Sequence, residues 1–152
     1  MVINLDEHDK GGSHWVGLFA NLKEGQVYYF DSFAKKPYKK TRKFINKIVK
    51  HIYRNKYQKD IKINNVIHKL KNIENFENDK TGGSDPVIKN LNKLDIKYNT
   101  IQHQFNNSEC GVYSINFVVR LVGGESFEDI TNNITNDEKM NGCRKAYFRN
   151  VN

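Results

Sequence analysis

Residues 14–31 read HWVGLFANLKEGQVYYFD. Two apolar, aromatic-rich runs flank the polar, glycine-containing turn NLKEG, which is the pattern of a β-hairpin. With the turn centred near Lys23, antiparallel pairing sets Val16 opposite Tyr29 and Leu18 opposite Val27. The same register sets His14 opposite Asp31. Directly opposed residues of a hairpin share a face, so an imidazole and a carboxylate become neighbours at its open end.

A second informative stretch is QFNNSECGVYSINF, residues 104–117. The turn-forming run Asn106-Asn107-Ser108-Glu109 leads into a helical pattern over 110–122, with Val112, Ile115, Val118, Val119 and Val122 as its apolar face and Gly123-Gly124 as its stop. Ser108 is the expected N-cap. Cys110 therefore sits at the mouth of a helix, where unpaired N–H groups and the helix dipole favour the reactive thiolate. A nucleophilic thiol also needs a base, and the base needs an orienting acceptor; His14 and Asp31 supply that pair. An acyl-transfer site further needs donors for the developing oxyanion, and the Gln104 amide and the Cys110 N–H are suited to that task. Each part is weak alone, since a cysteine at a helix start is more often a small buried hydrophobe. The weight lies in the combination.

Elsewhere, residues 38–58 carry one helical stripe, Phe44, Ile45, Ile48, Val49, Ile52 and Tyr53, with Pro37 and Thr41 as start signals. Lys40, Arg42, Lys43, Lys47, Lys50 and Arg54 lie largely off that stripe. A helix is expected over 61–76, a loop over 77–86, a short helix over 86–94 and a strand over 95–104. Short helices follow over 126–134 and 136–148. No internal repeat or dividing linker is visible, so residues 1–152 read as a single α+β domain.

The net charge of +8 favours acidic partners, although a solvated face is the preferred reading of the basic helix over 38–58 and nucleic-acid binding there the weaker one. Cys110 and Cys143 are the only cysteines, with no CxxC pair and no Cys/His cluster at zinc spacing; no metal or cofactor is expected. Cys143 reads as incidental. His103 reads as structural or exposed, and His8, His51 and His68 as surface or rim residues. No apolar run is long enough to span a bilayer, and the polar N-terminus is not a targeting segment. The expectation is a soluble protein without membrane contact, in a reducing compartment where thiols stay free.

The ordered set His14-Trp15, Asp31, Gln104, Cys110-Gly111 resembles the Ulp/adenain-type cysteine proteases, a superfamily that includes SUMO-specific proteases, the adenovirus protease and processing proteases of large DNA viruses. The match is close over about residues 12–33 and 100–122, with His to Asp seventeen residues apart and Gln to Cys six. The resemblance implies a papain-like/adenain-like fold, with a central mixed sheet flanked by helices and the catalytic cysteine at a helix N-terminus. It implies Cys110 as nucleophile, His14 as base and then acid, Asp31 as orienter of His14, and Gln104 in the oxyanion hole. Trp15 would wall a narrow channel for a substrate Gly-Gly. GGSHWVG and DEKMNGCRKAYF look most like proteases of large nucleocytoplasmic DNA viruses, which cut structural polyproteins after Gly-Gly. The expectation is a monomer acting on such a protein substrate in the virion or host cytoplasm, or, for a non-viral chain, in cytoplasm or nucleus. The alternatives are a SUMO/ubiquitin-like isopeptidase and an inactive fragment serving as a basic binding module. Thirteen residues precede His14 where the family carries several tens, so the chain is expected to be short at its N-terminus.

Overall fold

The computed structural model describes residues 1–6, 14–62, 64, 66 and 86–148, with the backbone alone at Ile88. In chain order the elements are β1 (Val2–Asn4), β2 (Trp15–Asn21), β3 (Gln26–Phe30), α1 (Lys39–Tyr57), α2 (Pro86–Leu91), β4 (Asp95–Tyr98), α3 (Cys110–Val122), α4 (Phe127–Asn132) and α5 (Asp137–Tyr147). Among the described residues no helix is long and apolar enough to cross a membrane.

The strands form one sheet in the order β1-β2-β3-β4. β1 pairs antiparallel with β2, Val2 facing Gly17 and Asn4 facing Trp15. The Leu5 N–H then donates to the His14 carbonyl at 2.9 Å, which carries the ladder to His14 itself. On the other side, the Asp95 N–H donates to Gly25 and the Asn99 N–H to Tyr29. Both partners advance in the same direction, so β4 runs parallel to β3 and the sheet is mixed. Parallel neighbours require a long crossover, and the chain between Phe30 and Asp95 supplies it.

The chain divides into two compact units, Met1–Phe19 with Tyr29–Lys36 and Tyr98–Asn152, and Ala20–Tyr28 with Pro37–Lys97. In the second, α1 buries Ile45, Val49, Ile52 and Tyr53 on one face, the stripe its periodicity predicts. Phe44 falls off that face and is exposed. Thr41 is buried inside the helix, and the N-cap is Tyr38, which makes no side-chain capping bond. The hairpin turn needs Gly25: its φ is +77°, and a Cβ there would meet Leu94 Cδ2 at 2.9 Å. The expected helix over 61–76, apart from 61, 62, 64 and 66, and the loop over 77–85 lie outside the described residues.

In the first unit, Phe117 of α3 stacks on Phe30 of β3, ring centroids 4.8 Å apart. Helix α3 spans the expected residues but buries a different face. Cys110, Tyr113, Ser114, Phe117 and Leu121 point inward with Val112, whereas Val119 and Val122 are exposed. The valines misled because the inward face carries large aromatics and a serine whose hydroxyl donates to the Cys110 carbonyl at 2.8 Å, so its polarity is satisfied locally. The N-cap is Glu109 rather than Ser108, again without a side-chain capping bond. Of the terminal glycines only Gly124 takes positive φ, at +95°. Helices α4 and α5 carry conventional caps: Ser126 accepts from the Asp129 N–H and Asn136 from the Lys139 N–H.

The strand expected over 95–104 ends at Tyr98. The Asn99 side chain takes over there. Its Oδ1 accepts from the Asp31 N–H at 2.8 Å, and its Nδ2 donates to the Asp31 carbonyl at 2.7 Å. A side-chain amide thus replaces the next pair of ladder bonds, and the backbone is released into the loop that carries Gln104.

Candidate active site

Every residue of the sequence-derived constellation lies in the first unit. His14 immediately precedes β2, Asp31 immediately follows β3, and Cys110 is the first residue of α3. The His14 Nε2 lies 2.8 Å from Asp31 Oδ2. The imidazole is largely covered, its side chain 13% exposed, and Asp31 is fully buried. The other Asp31 oxygen, Oδ1, accepts from the Phe33 N–H at 2.9 Å. With Nε2 committed to the carboxylate, Nδ1 is the ring nitrogen left to exchange a proton with the thiol.

Electrostatics favour an ion pair. The hydrogen bond to Asp31, then the one to Cys110, raise the His14 pKa to about 9 against the desolvation that burial imposes. Burial pushes the Cys110 thiol up, but the His14 hydrogen bond, the N–H groups of Trp15 and Gly111 and the imidazolium charge outweigh it, and the net displacement is downward. No side chain caps the first turn of α3. The two shifts act together in favour of a thiolate–imidazolium pair.

How α3 reaches the hairpin is set by Gly17. A Cβ at this position would lie 2.8 Å from Phe117 Cδ1 and 3.3 Å from the Ser114 carbonyl, so only glycine lets the helix pack this close to β2. Gly17 is three residues from His14 and Ser114 four from Cys110, so the contact bears on how closely the thiol approaches the imidazole.

Gln104 is fully buried. Its Oε1 accepts from the Ser32 hydroxyl at 2.7 Å, and its Nε2 donates to the Asn106 carbonyl. One amide N–H remains for an oxyanion. The loop between Gln104 and Cys110 is braced by α5. Asp137 Oδ2 accepts from the N–H groups of Phe105 and Asn106, both at 3.0 Å, and its Oδ1 accepts from the Tyr113 hydroxyl at 3.1 Å. Seven residues on, Arg144 donates to the Ser108 carbonyl and pairs with the buried Glu109 at 3.1 Å. Trp15 is 37% exposed, and its ring lies 3.8 Å from where a Cβ on Gly111 would be.

His103 is buried, not exposed: its Nε2 meets the Thr131 carbonyl at 2.9 Å, and burial lowers its pKa. His51 is exposed on α1 beside Asn55, and His8 and His68 lie outside the described residues. Both cysteines are free, and Cys143 is half-buried on α5. Among the described residues no group of three His, Cys, Asp or Glu side chains is placed to hold a metal ion.

An imidazole, a buried carboxylate and a thiol follow in this order along a chain with a mixed sheet and the thiol at a helix start, the arrangement of a cysteine peptidase. The chain belongs to the Ulp1 protease family, matching its C-terminal catalytic domain over residues 1–152. A protein of Acanthamoeba polyphaga mimivirus whose name describes a thiol protease is 35% identical over 149 residues, covering 98% of this chain and 38% of that one. The chain thus spans well under half the length of that relative. The crystal structure of an ASFV protease shares the fold, with a TM-score of 0.64 at 20% identity over 97% of this chain and 43% of the other.

Sequence reasoning missed Ser32, Asn99, Asp137 and Gly17. The first three act through contacts with residues far off in the chain. Gly17 offered the one local signal, a glycine inside a strand pattern, which marks a close backbone approach.

Proposed function

We propose that this chain is a cysteine endopeptidase that cleaves after Gly-Gly in viral structural precursors. The observation that carries the chemistry is the single imidazole engaged on one side by buried Asp31 at 2.8 Å and on the other by the Cys110 thiol. The Cys110 thiolate attacks the scissile carbonyl. The developing oxyanion takes hydrogen bonds from the Cys110 N–H and the Gln104 amide. The His14 imidazolium then protonates the leaving amine, and a thioester remains on Cys110. Water activated by neutral His14 hydrolyses the thioester and restores the thiol. Asp31 holds the imidazole orientation throughout.

The Gly-Gly preference rests on the family resemblance and on Trp15, whose exposed indole beside Gly111 suits a channel too narrow for side chains. The viral source of the mimivirus relative supports action on viral precursors, in the virion or host cytoplasm. The protein is proposed to act as a monomer with one catalytic domain. The test is cleavage of a Gly-Gly-X peptide. Cys110→Ala abolishes turnover and Cys143→Ala leaves it intact. Turnover that survives Cys110→Ala refutes the reading; turnover only of folded ubiquitin-like conjugates would replace its substrate.

A further inference from the structure

We infer that Ser32 is a positioning residue that holds the Gln104 amide in the orientation required of an oxyanion donor; this rests on the catalytic reading given above. A glutamine amide can be turned end for end with little change of shape, and only one orientation offers an N–H to the substrate. Two contacts select it. The Asn106 carbonyl can only accept, so it takes the Nε2 end. The Ser32 hydroxyl, 2.7 Å from Oε1, donates to the other end. Ser32 and Gln104 are both fully buried, so water does not substitute for either partner. The main chain adds to the grip, because the Ser32 carbonyl accepts from the N–H groups of His103 and Gln104, both at 2.9 Å.

Ser32 also directly follows Asp31. A single dipeptide at the end of β3 therefore sets both halves of the machinery: the Asp31 carboxylate orients the imidazole, and the Ser32 hydroxyl orients the amide seventy-two residues away. Removing the hydroxyl leaves Oε1 buried without a donor, and the amide is driven to turn toward other partners. The loss falls on the transition state, since the oxyanion exists only there.

The experiment compares Ser32→Ala, Gln104→Ala and the double variant in the intact protein, using a fluorogenic Gly-Gly peptide and iodoacetamide alkylation of Cys110. Alkylation needs the thiolate and His14 but no oxyanion donor. Ser32→Ala is expected to lower kcat about tenfold with KM nearly unchanged, and Gln104→Ala about 10²-fold. The double variant matches Gln104→Ala alone, and the alkylation rate stays within about twofold of the wild type in all three. Ser32→Cys keeps the volume with a weaker donor and is expected to fall between serine and alanine, which preserves the test if the alanine variant does not fold. Full activity in Ser32→Ala, or a loss that adds to that of Gln104→Ala, overturns this inference. Full activity in Gln104→Ala overturns the oxyanion assignment beneath it.

Discussion

Replacing Asp31 by asparagine keeps the shape of the side chain and reverses half of its chemistry. Asp31 accepts at both oxygens, from His14 Nε2 at 2.8 Å and from the Phe33 N–H at 2.9 Å. Asparagine can satisfy only one of these. If its oxygen stays on Phe33, its NH2 faces Nε2 and forces the proton onto Nδ1, the nitrogen that must take the thiol proton. If its oxygen faces His14, two N–H groups collide at Phe33. The hydrogen bond lost is one to a charged group, worth about 1.5–3 kcal/mol. At about 1.4 kcal/mol per pH unit, the His14 pKa falls by about 1–2. The alkaline limb of the Cys110 alkylation profile, set by His14 at about 9, moves to about 7–8 in the variant, and kcat falls about 10²-fold or more.

Stability follows the same linkage. A histidine whose folded pKa is raised contributes stability that is fully present below its unfolded value of 6.5 and is lost as pH rises through about 9. Melting temperature should therefore decline over this window in the wild type, and over a narrower one in Asp31→Asn. The assay is stopped-flow alkylation with iodoacetamide from pH 5 to 10, paired with thermal melts at the same pH values. An alkaline limb that stays near pH 9 in Asp31→Asn refutes the claim that the carboxylate holds the imidazolium.

Two further substitutions test how the site is supported. Gly17→Ala forces a Cβ to within 2.8 Å of Phe117 and should cost about 1–3 kcal/mol in urea unfolding; it should also slow alkylation of Cys110, because α3 must retreat from β2. Asn99→Ala strips the Asp31 N–H and carbonyl of their buried partners, so a loss of about 2–4 kcal/mol is expected by chemical denaturation. Its fall in kcat should exceed that of an equally destabilised variant in the other compact unit, such as Ile52→Ala in the buried stripe of α1.

Much of the site was legible because its signals are local. The alternation on either side of NLKEG marks two neighbouring strands, and His14 just before the first and Asp31 just after the second do meet, at 2.8 Å. The helix starting at Cys110 is written in its own periodicity, and so is the buried stripe of α1. The face that α3 buries was not legible. Valines at 119 and 122 look more like core than Ser114 does, until the Ser114 hydroxyl is seen bonded to the Cys110 carbonyl. The length of β4 was not legible either, because Asn99 ends the strand with a side chain that imitates the ladder across sixty-eight residues.

By itself, then, the sequence determined which groups make up the candidate site and on what elements they ride. Hairpin pairing and helix periodicity are short-range effects, expressed within a few residues of their cause. Tertiary structure alone decided how those groups are held. Ser32 on Gln104, Asn99 on Asp31 and Asp137 beneath the 105–106 loop are contacts between residues far apart in the chain. Nothing in the local spacing encodes them; they exist because a buried polar group must find a partner wherever packing places one.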